Sequence, residues 1–229
     1  EPKDSGYRSI HLVYRNRNKR APEYDGLCIE LQIRTRLQHA WATAVETMGT
    51  FLDHALKSSE GPAVWLDFFS LAGSAFAHLE KCPPVPGYES LSRNHTFEAV
   101  IRRSHDLDFR QRLKAFTVAV ERIYADRRPG SYHLIILDPK NKTVNITSYS
   151  QSNLNMASQR YTEVEKRIAD GELLQAVLVS AGPIEELRRA YPNYFLDTHE
   201  FVRQLDRIER HLSANKRLES DTKPRGDSP

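Results

Sequence analysis

The chain has 229 residues, enough for one large or two small domains. Apolar residues at 39% and charged residues at 28% fit a globular chain, and no apolar run approaches the ~20 residues that cross a bilayer. The net charge of +3 is mild, the two cysteines (Cys28 and Cys82) lack metal-ligand spacing, and nothing near the start reads as a signal peptide, so a reduced cytoplasmic compartment is expected.

Strands are predicted over 9–14 and 27–34, because both segments alternate with period two. Ile10, Leu12 and Tyr14 share one side of the first strand; Ser9, His11 and Val13 share the other. In the second, Leu27, Ile29, Leu31 and Ile33 face one way, and Cys28, Glu30, Gln32 and Arg34 the other. Pairing as a hairpin brings His11 to the polar face. Between the strands, Asp25-Gly26 is a turn signal. Arg8, Arg15, Arg17, Lys19 and Arg20 fall within residues 8–20 with no acid among them. Such a cluster suits phosphate-rich partners, and equally a solvated hairpin tip.

A helix is predicted over 35–56, started by the capping-box spacing of Thr35 and Gln38 and carried by Leu37, Trp41, Ala44, Val45, Met48 and Leu52. Pro62 can open a second helix at its first turn. Pro83-Pro84-Val85-Pro86-Gly87 then marks the best domain boundary. Helices are expected over 95–104 and 107–125, strands over 132–137 and 143–149, and a helix over 154–169. A strand over 176–179 and helices over 184–191 and 198–212 complete a compact α+β unit. Residues 214–229 are polar and are expected to be disordered.

The motif residues carry a resemblance. Pro2-Lys3, Gly6-Tyr7-Arg8-Ser9-Ile10-His11 and Glu30-Leu31-Gln32-Ile33-Arg34-Thr35 are similar to the second half of the RelA/SpoT synthetase domain, over roughly residues 2–60. The resemblance implies an α+β fold: residues 1–84 as the C-terminal half of a nucleotidyltransferase-like mixed sheet with flanking helices. Residues 85–213 would be a helical connector and a small pseudo-zinc-finger-like α+β regulatory module. That family transfers pyrophosphate from ATP, with Mg²⁺, to a ribose 3′-hydroxyl. GDP or GTP as acceptor gives ppGpp or pppGpp; the 3′ end of tRNA as acceptor arrests translation. The family's upstream half supplies basic residues for the ATP phosphates and a first metal-binding aspartate. The segment as it stands is therefore expected to be inactive alone.

Residue by residue, the resemblance makes Glu30 the Mg²⁺ ligand and the acceptor of the 3′-hydroxyl proton. The plainer reading of Glu30 is an exposed strand residue or an ion-pair partner of Arg34. Tyr7 would stack on the acceptor base, against the alternative of a ring packed at the sheet edge. Gly6 would allow a positive φ or close backbone approach. Lys3, Arg8 and His11 would meet the acceptor, Gln32 a nucleotide oxygen and Arg34 phosphate. Arg15, Arg17, Lys19 and Arg20 would form a phosphate or nucleic-acid patch. Ser5 stands where the family often has asparagine, which bears on guanine specificity.

A second resemblance lies at Tyr191-Pro192-Asn193-Tyr194-Phe195, with Asp197 and Phe201. It is similar to the tail of CapRel-type fused toxin–antitoxin proteins, in which such a module covers the donor site. It implies that Tyr191 and Tyr194 are autoinhibitory and that a phage protein is the trigger. The competing reading is a proline helix stop with aromatics filling a local core. For the whole chain, the alternative to an enzyme is a catalytically silent nucleotide-sensing or RNA-binding module.

Overall fold

A computed structural model describes residues 3–17, 20–52, 54–125, 132–138, 140–141, 143–182 and 194–221. The alternating segments form an antiparallel hairpin: β1 (Ile10–Arg15) pairs with β2 (Cys28–Ile33), with His11 opposite Gln32 and Val13 opposite Glu30. Gly26 turns the chain at φ 83°, and its N–H donates to the Asn16 carbonyl at 2.8 Å. Among the described residues this sheet has two antiparallel strands, where a mixed sheet was expected.

α1 (Arg36–Leu52) starts on a reciprocal cap. The Gln38 N–H donates to Thr35 Oγ1 at 3.1 Å, and the Thr35 N–H donates to Gln38 Oε1 at 3.0 Å. The helix stops at Leu52, short of residue 56, because the chain folds back over Gly49. There the His54 N–H donates to the Gly49 carbonyl, and a Cβ on Gly49 would sit 2.6 Å from the His54 carbonyl oxygen. α2 (Ala63–Glu80) begins after Pro62, which takes the N-cap position, and ends where Lys81 adopts a left-handed conformation. α3 (Arg93–Asp106) is capped by Ser92, whose hydroxyl accepts from the His95 N–H. Left-handed Asp108 (φ 49°) separates it from α4 (Phe109–Ala125).

β3 (Tyr132–Asp138) is the centre of a second antiparallel sheet, flanked by β4 (Thr143–Tyr149) and β5 (Gln175–Ser180). α5 (Leu154–Ala169) packs against β3 and β5. α6 (Tyr194–Asp221) closes the described chain and packs on α1, α3 and α4. Residues 214–221 are therefore helical where a tail was expected. Residues 222–229 and the helix expected over 184–191 lie outside the described residues. The class is α+β, and no helix of the described residues is long and apolar enough to cross a membrane.

One apolar cluster joins α1, α2, α3, α4, α6, β3 and β5. Phe201 of α6 lies 5.0 Å from Phe76 and 5.1 Å from Phe109, ring centre to centre, and Phe68 lies 4.5 Å from Phe109. The expected boundary at residue 84 is not a break in packing. Val85 is buried within the proline run, and its N–H donates to Ser74 Oγ on α2 at 3.0 Å.

Candidate functional site

Strand alternation puts His11, Val13 and Arg15 of β1 on one face with Cys28, Glu30 and Gln32 of β2, and Arg34 follows just past the strand end. On this face five side chains close a ring of hydrogen bonds. Arg34 Nη2 donates to Gln32 Oε1 at 2.6 Å and to Tyr7 Oη at 2.7 Å. Gln32 Nε2 donates to Glu30 Oε2 at 2.9 Å. Glu30 Oε1 lies 2.5 Å from His11 Nδ1, and His11 Nε2 lies 3.0 Å from Tyr7 Oη.

One proton arrangement satisfies the whole ring. A guanidinium only donates and a carboxylate only accepts. Arg34 therefore feeds both neighbours and Glu30 collects from both sides. Tyr7 O–H then donates to His11 Nε2, and the other ring nitrogen, Nδ1–H, donates to Glu30; the tautomer is assigned from these partners. Hydrogen bonds from Gln32 first, then His11, hold the Glu30 carboxyl below its ordinary 4.5. Glu30 is thus an exposed carboxylate at neutral pH, with one oxygen on His11 and the other on Gln32.

Tyr7 anchors the ring to the core. Its loop lies on α2: Gly6 takes φ 89°, and a Cβ on it would sit 2.9 Å from the Phe69 carbonyl oxygen. A Cβ on Gly73 of α2 would sit 2.8 Å from Gly6 Cα, so two glycines permit the contact. Ser70 Oγ donates to the Asp4 carbonyl at 2.7 Å, and Trp41 Nε1 donates to the Phe69 carbonyl at 2.9 Å. Tyr7 is 7% exposed, with its ring centre 6.3 Å from that of Trp41. Lys3, Arg34 and Lys57 place their cations 5.5, 5.2 and 5.7 Å from the ring centre.

Lys3, Tyr7, His11, Glu30, Gln32 and Arg34 thus come together, and Gly6 shows both the positive φ and the close approach. Two expectations need correction. Tyr7 is too buried to offer a bare face to a base; its hydroxyl is the part presented to the polar ring. Arg8 turns inward, where it pairs with Glu80 at 3.0 Å, its side chain 9% exposed. Arg15 extends the polar face by one rung opposite Cys28, and Arg17 and Arg20 are exposed near the tip. Lys19, Tyr191 and the Tyr194 side chain lie outside the described residues.

Among the described residues, no three of His, Cys, Asp and Glu gather as a metal cluster. Mg²⁺ is commonly held by one or two carboxylates, with substrate phosphates and water completing the shell. Exposed, ionised Glu30 fits as one such ligand.

Sequence reasoning missed Lys57, Glu80, Ser70 and Gly73. An isolated glycine inside a helical pattern is the one available signal, and it points to Gly73. His39 pairs with Asp197 at 3.0 Å and Arg36 with buried Glu200 at 2.9 Å, so α6 is tied to the first turns of α1. Burial pushes the Asp197 carboxyl up, against the opposing pull of His39. No family model matches the chain, and no curated protein matches it.

Proposed function

We propose that the polar face of the hairpin is the acceptor side of a RelA/SpoT-type pyrophosphokinase. On this reading β1–β2 and α1–α2 are half of a nucleotidyltransferase-like fold, in the cytoplasm. The ribose 3′-oxygen attacks the β-phosphorus of ATP, the α–β bridging P–O bond breaks, and AMP leaves. Glu30 takes the 3′-hydroxyl proton. Gln32 and His11 hold its two oxygens in place, and positioning of this kind supplies much of the rate in phosphoryl transfer. Lys3, Arg15, Arg17 and Arg20 attract phosphate, and Arg34 sits between Tyr7 and Gln32 to steer it. Bound Mg²⁺ would neutralise triphosphate charge, with Glu30 as its ligand on this chain.

The observation that carries the reading is the closed ring with its anionic end at Glu30. The contacts of α6 with Arg36 and His39, next to the motif, support a regulatory role for the C-terminal part. Tyr191 and Tyr194 as the inhibitory residues, and a phage protein as trigger, belong to the same proposal. The test is incubation of the full-length protein with γ-labelled ATP, Mg²⁺ and either GDP or deacylated tRNA. Label is expected on one acceptor and absent with Glu30→Gln. Label on neither, or full transfer by Glu30→Gln, removes the reading. The single carboxylate on the face favours a second reading, a silent nucleotide- or RNA-binding module, which predicts acceptor binding without transfer.

A further inference from the structure

Three contacts lay residues 4–8 along one face of α2. Ser70, Gly73 and Glu80 stand at i, i+3 and i+10 of that helix, a single stripe about 15 Å long. Ser70 Oγ donates to the Asp4 carbonyl, Gly73 lets the Gly6 backbone approach, and Glu80 takes the Arg8 guanidinium at 3.0 Å. Tyr7 is the residue between the last two contacts, so its backbone is held on both sides. The stability of α2 does not account for Glu80. It is the last residue of the helix, where the partial negative charge of the helix end disfavours a carboxylate. Arg8 in turn depends on Glu80: its side chain is 9% exposed, and its Nη1 is buried with no acceptor among the described residues.

We infer that Glu80 is a positioning residue for Tyr7, acting through Arg8. The Arg8–Glu80 pair fixes the chain just after Tyr7, as the seating of Gly6 on Gly73 fixes it just before. The Tyr7 hydroxyl is thereby delivered between Arg34 Nη2 at 2.7 Å and His11 Nε2 at 3.0 Å. A hydroxyl displaced by about 1 Å loses one of the two, since such bonds are spent beyond about 3.5 Å. Arg34 and His11 are the two ends of the row that runs through Gln32 and Glu30, so the ring closes only through Tyr7. A buried ion pair is a weak source of stability, and an apolar pair of similar size often replaces it at no cost. What the apolar pair does not reproduce is the directed bond that sets one position for the chain. The placement of Tyr7 does not depend on the proposed activity; its effect on transfer rests on that reading.

The test removes the pair and keeps the packing, in the full-length protein. Arg8→Met combined with Glu80→Leu is expected to fold, with near-UV circular dichroism from the buried Trp41 and Trp65 reporting that the core is kept. It is expected to shift the ¹³Cζ resonance of Tyr7, identified by its absence in Tyr7→Phe, and to lower transfer about tenfold. In a Tyr7→Phe background the same change is expected to lower transfer no further. Glu80→Asp, which withdraws the carboxylate by one methylene, is expected to shift the resonance as well and decides the matter if the combined variant does not fold. An unmoved Tyr7 resonance in the folded variant overturns the inference and leaves the proposed activity standing. A loss of transfer that persists undiminished with Tyr7→Phe also overturns it. A shifted resonance in a protein that transfers to neither acceptor upholds the positioning role and removes the activity instead.

Discussion

Charge at the candidate site runs in one direction, from Arg34, which can only donate, to Glu30, which can only accept. Gln32 is the strongest support of the ionised Glu30, so Gln32→Leu is expected to raise the Glu30 titration midpoint towards 4.5. Carboxyl ¹³C NMR measures this, and an unmoved midpoint would assign the shift to other causes. The sign of the pH effect follows. The folded pKa lies below the ordinary value, so the contribution of Glu30 to stability is full above 4.5 and is lost as pH falls through the lowered pKa. Transfer that uses the Glu30 carboxylate should fall over the same window. Tyr7 separates two roles. Tyr7→Phe keeps the packing against Trp41 and removes the hydroxyl that serves Arg34 and His11. It is expected to cost about 1 kcal/mol in urea unfolding and to lower transfer. Tyr7→Ala opens a cavity beside Trp41 and is expected to cost about 3 kcal/mol, so its kinetics would mix unfolding with chemistry.

At the scale of elements, the local features were legible in the sequence. Alternation marked both strands and their faces, and the three-residue spacing of Thr35 and Gln38 marked the start of α1. Thr35→Ala removes one side of that cap and is expected to lower stability by about 1 kcal/mol in thermal unfolding. A change within error would mean that tertiary packing alone sets the helix start. Features made by distant partners were not legible. Arg8 meets Glu80 across 72 residues, and no spacing rule reaches that far. The end of α1 depends on the His54 carbonyl crossing Gly49, which helical periodicity does not encode. The contact of Gly6 with Gly73 is of the same kind. Gly73→Ala sets a methyl 2.8 Å from the Gly6 backbone, which has no flexible end to move aside. It is expected to cost about 1–3 kcal/mol and to shift Tyr7 off Arg34. A crystal structure of the variant with the Tyr7–Arg34 bond intact would refute that link.

For the whole molecule, proline content suggested a linker where the fold has a packed crossing. Pro83, Pro84 and Pro86 follow the end of α2 at Lys81, yet Val85 between them is buried and bonded to Ser74. The consequence is a core shared by the motif region and the C-terminal helix. Phe201 is fully buried, with its ring near Phe68, Phe69 and Phe76 of α2 and Phe109 of α4. Phe201→Ala is expected to cost about 3–5 kcal/mol, roughly 10 °C in melting temperature for a chain of this size. Both tryptophans lie in α1 and α2, on the far side of the proline run, so their fluorescence reports on the other end of the chain. In a shared core, the tryptophan signal and the far-ultraviolet helix signal of Phe201→Ala fall together by the same amount. With two separable units, tryptophan fluorescence would keep its wild-type midpoint while part of the helix signal melts early. That outcome would restore the boundary at residue 84 and uncouple α6 from the hairpin.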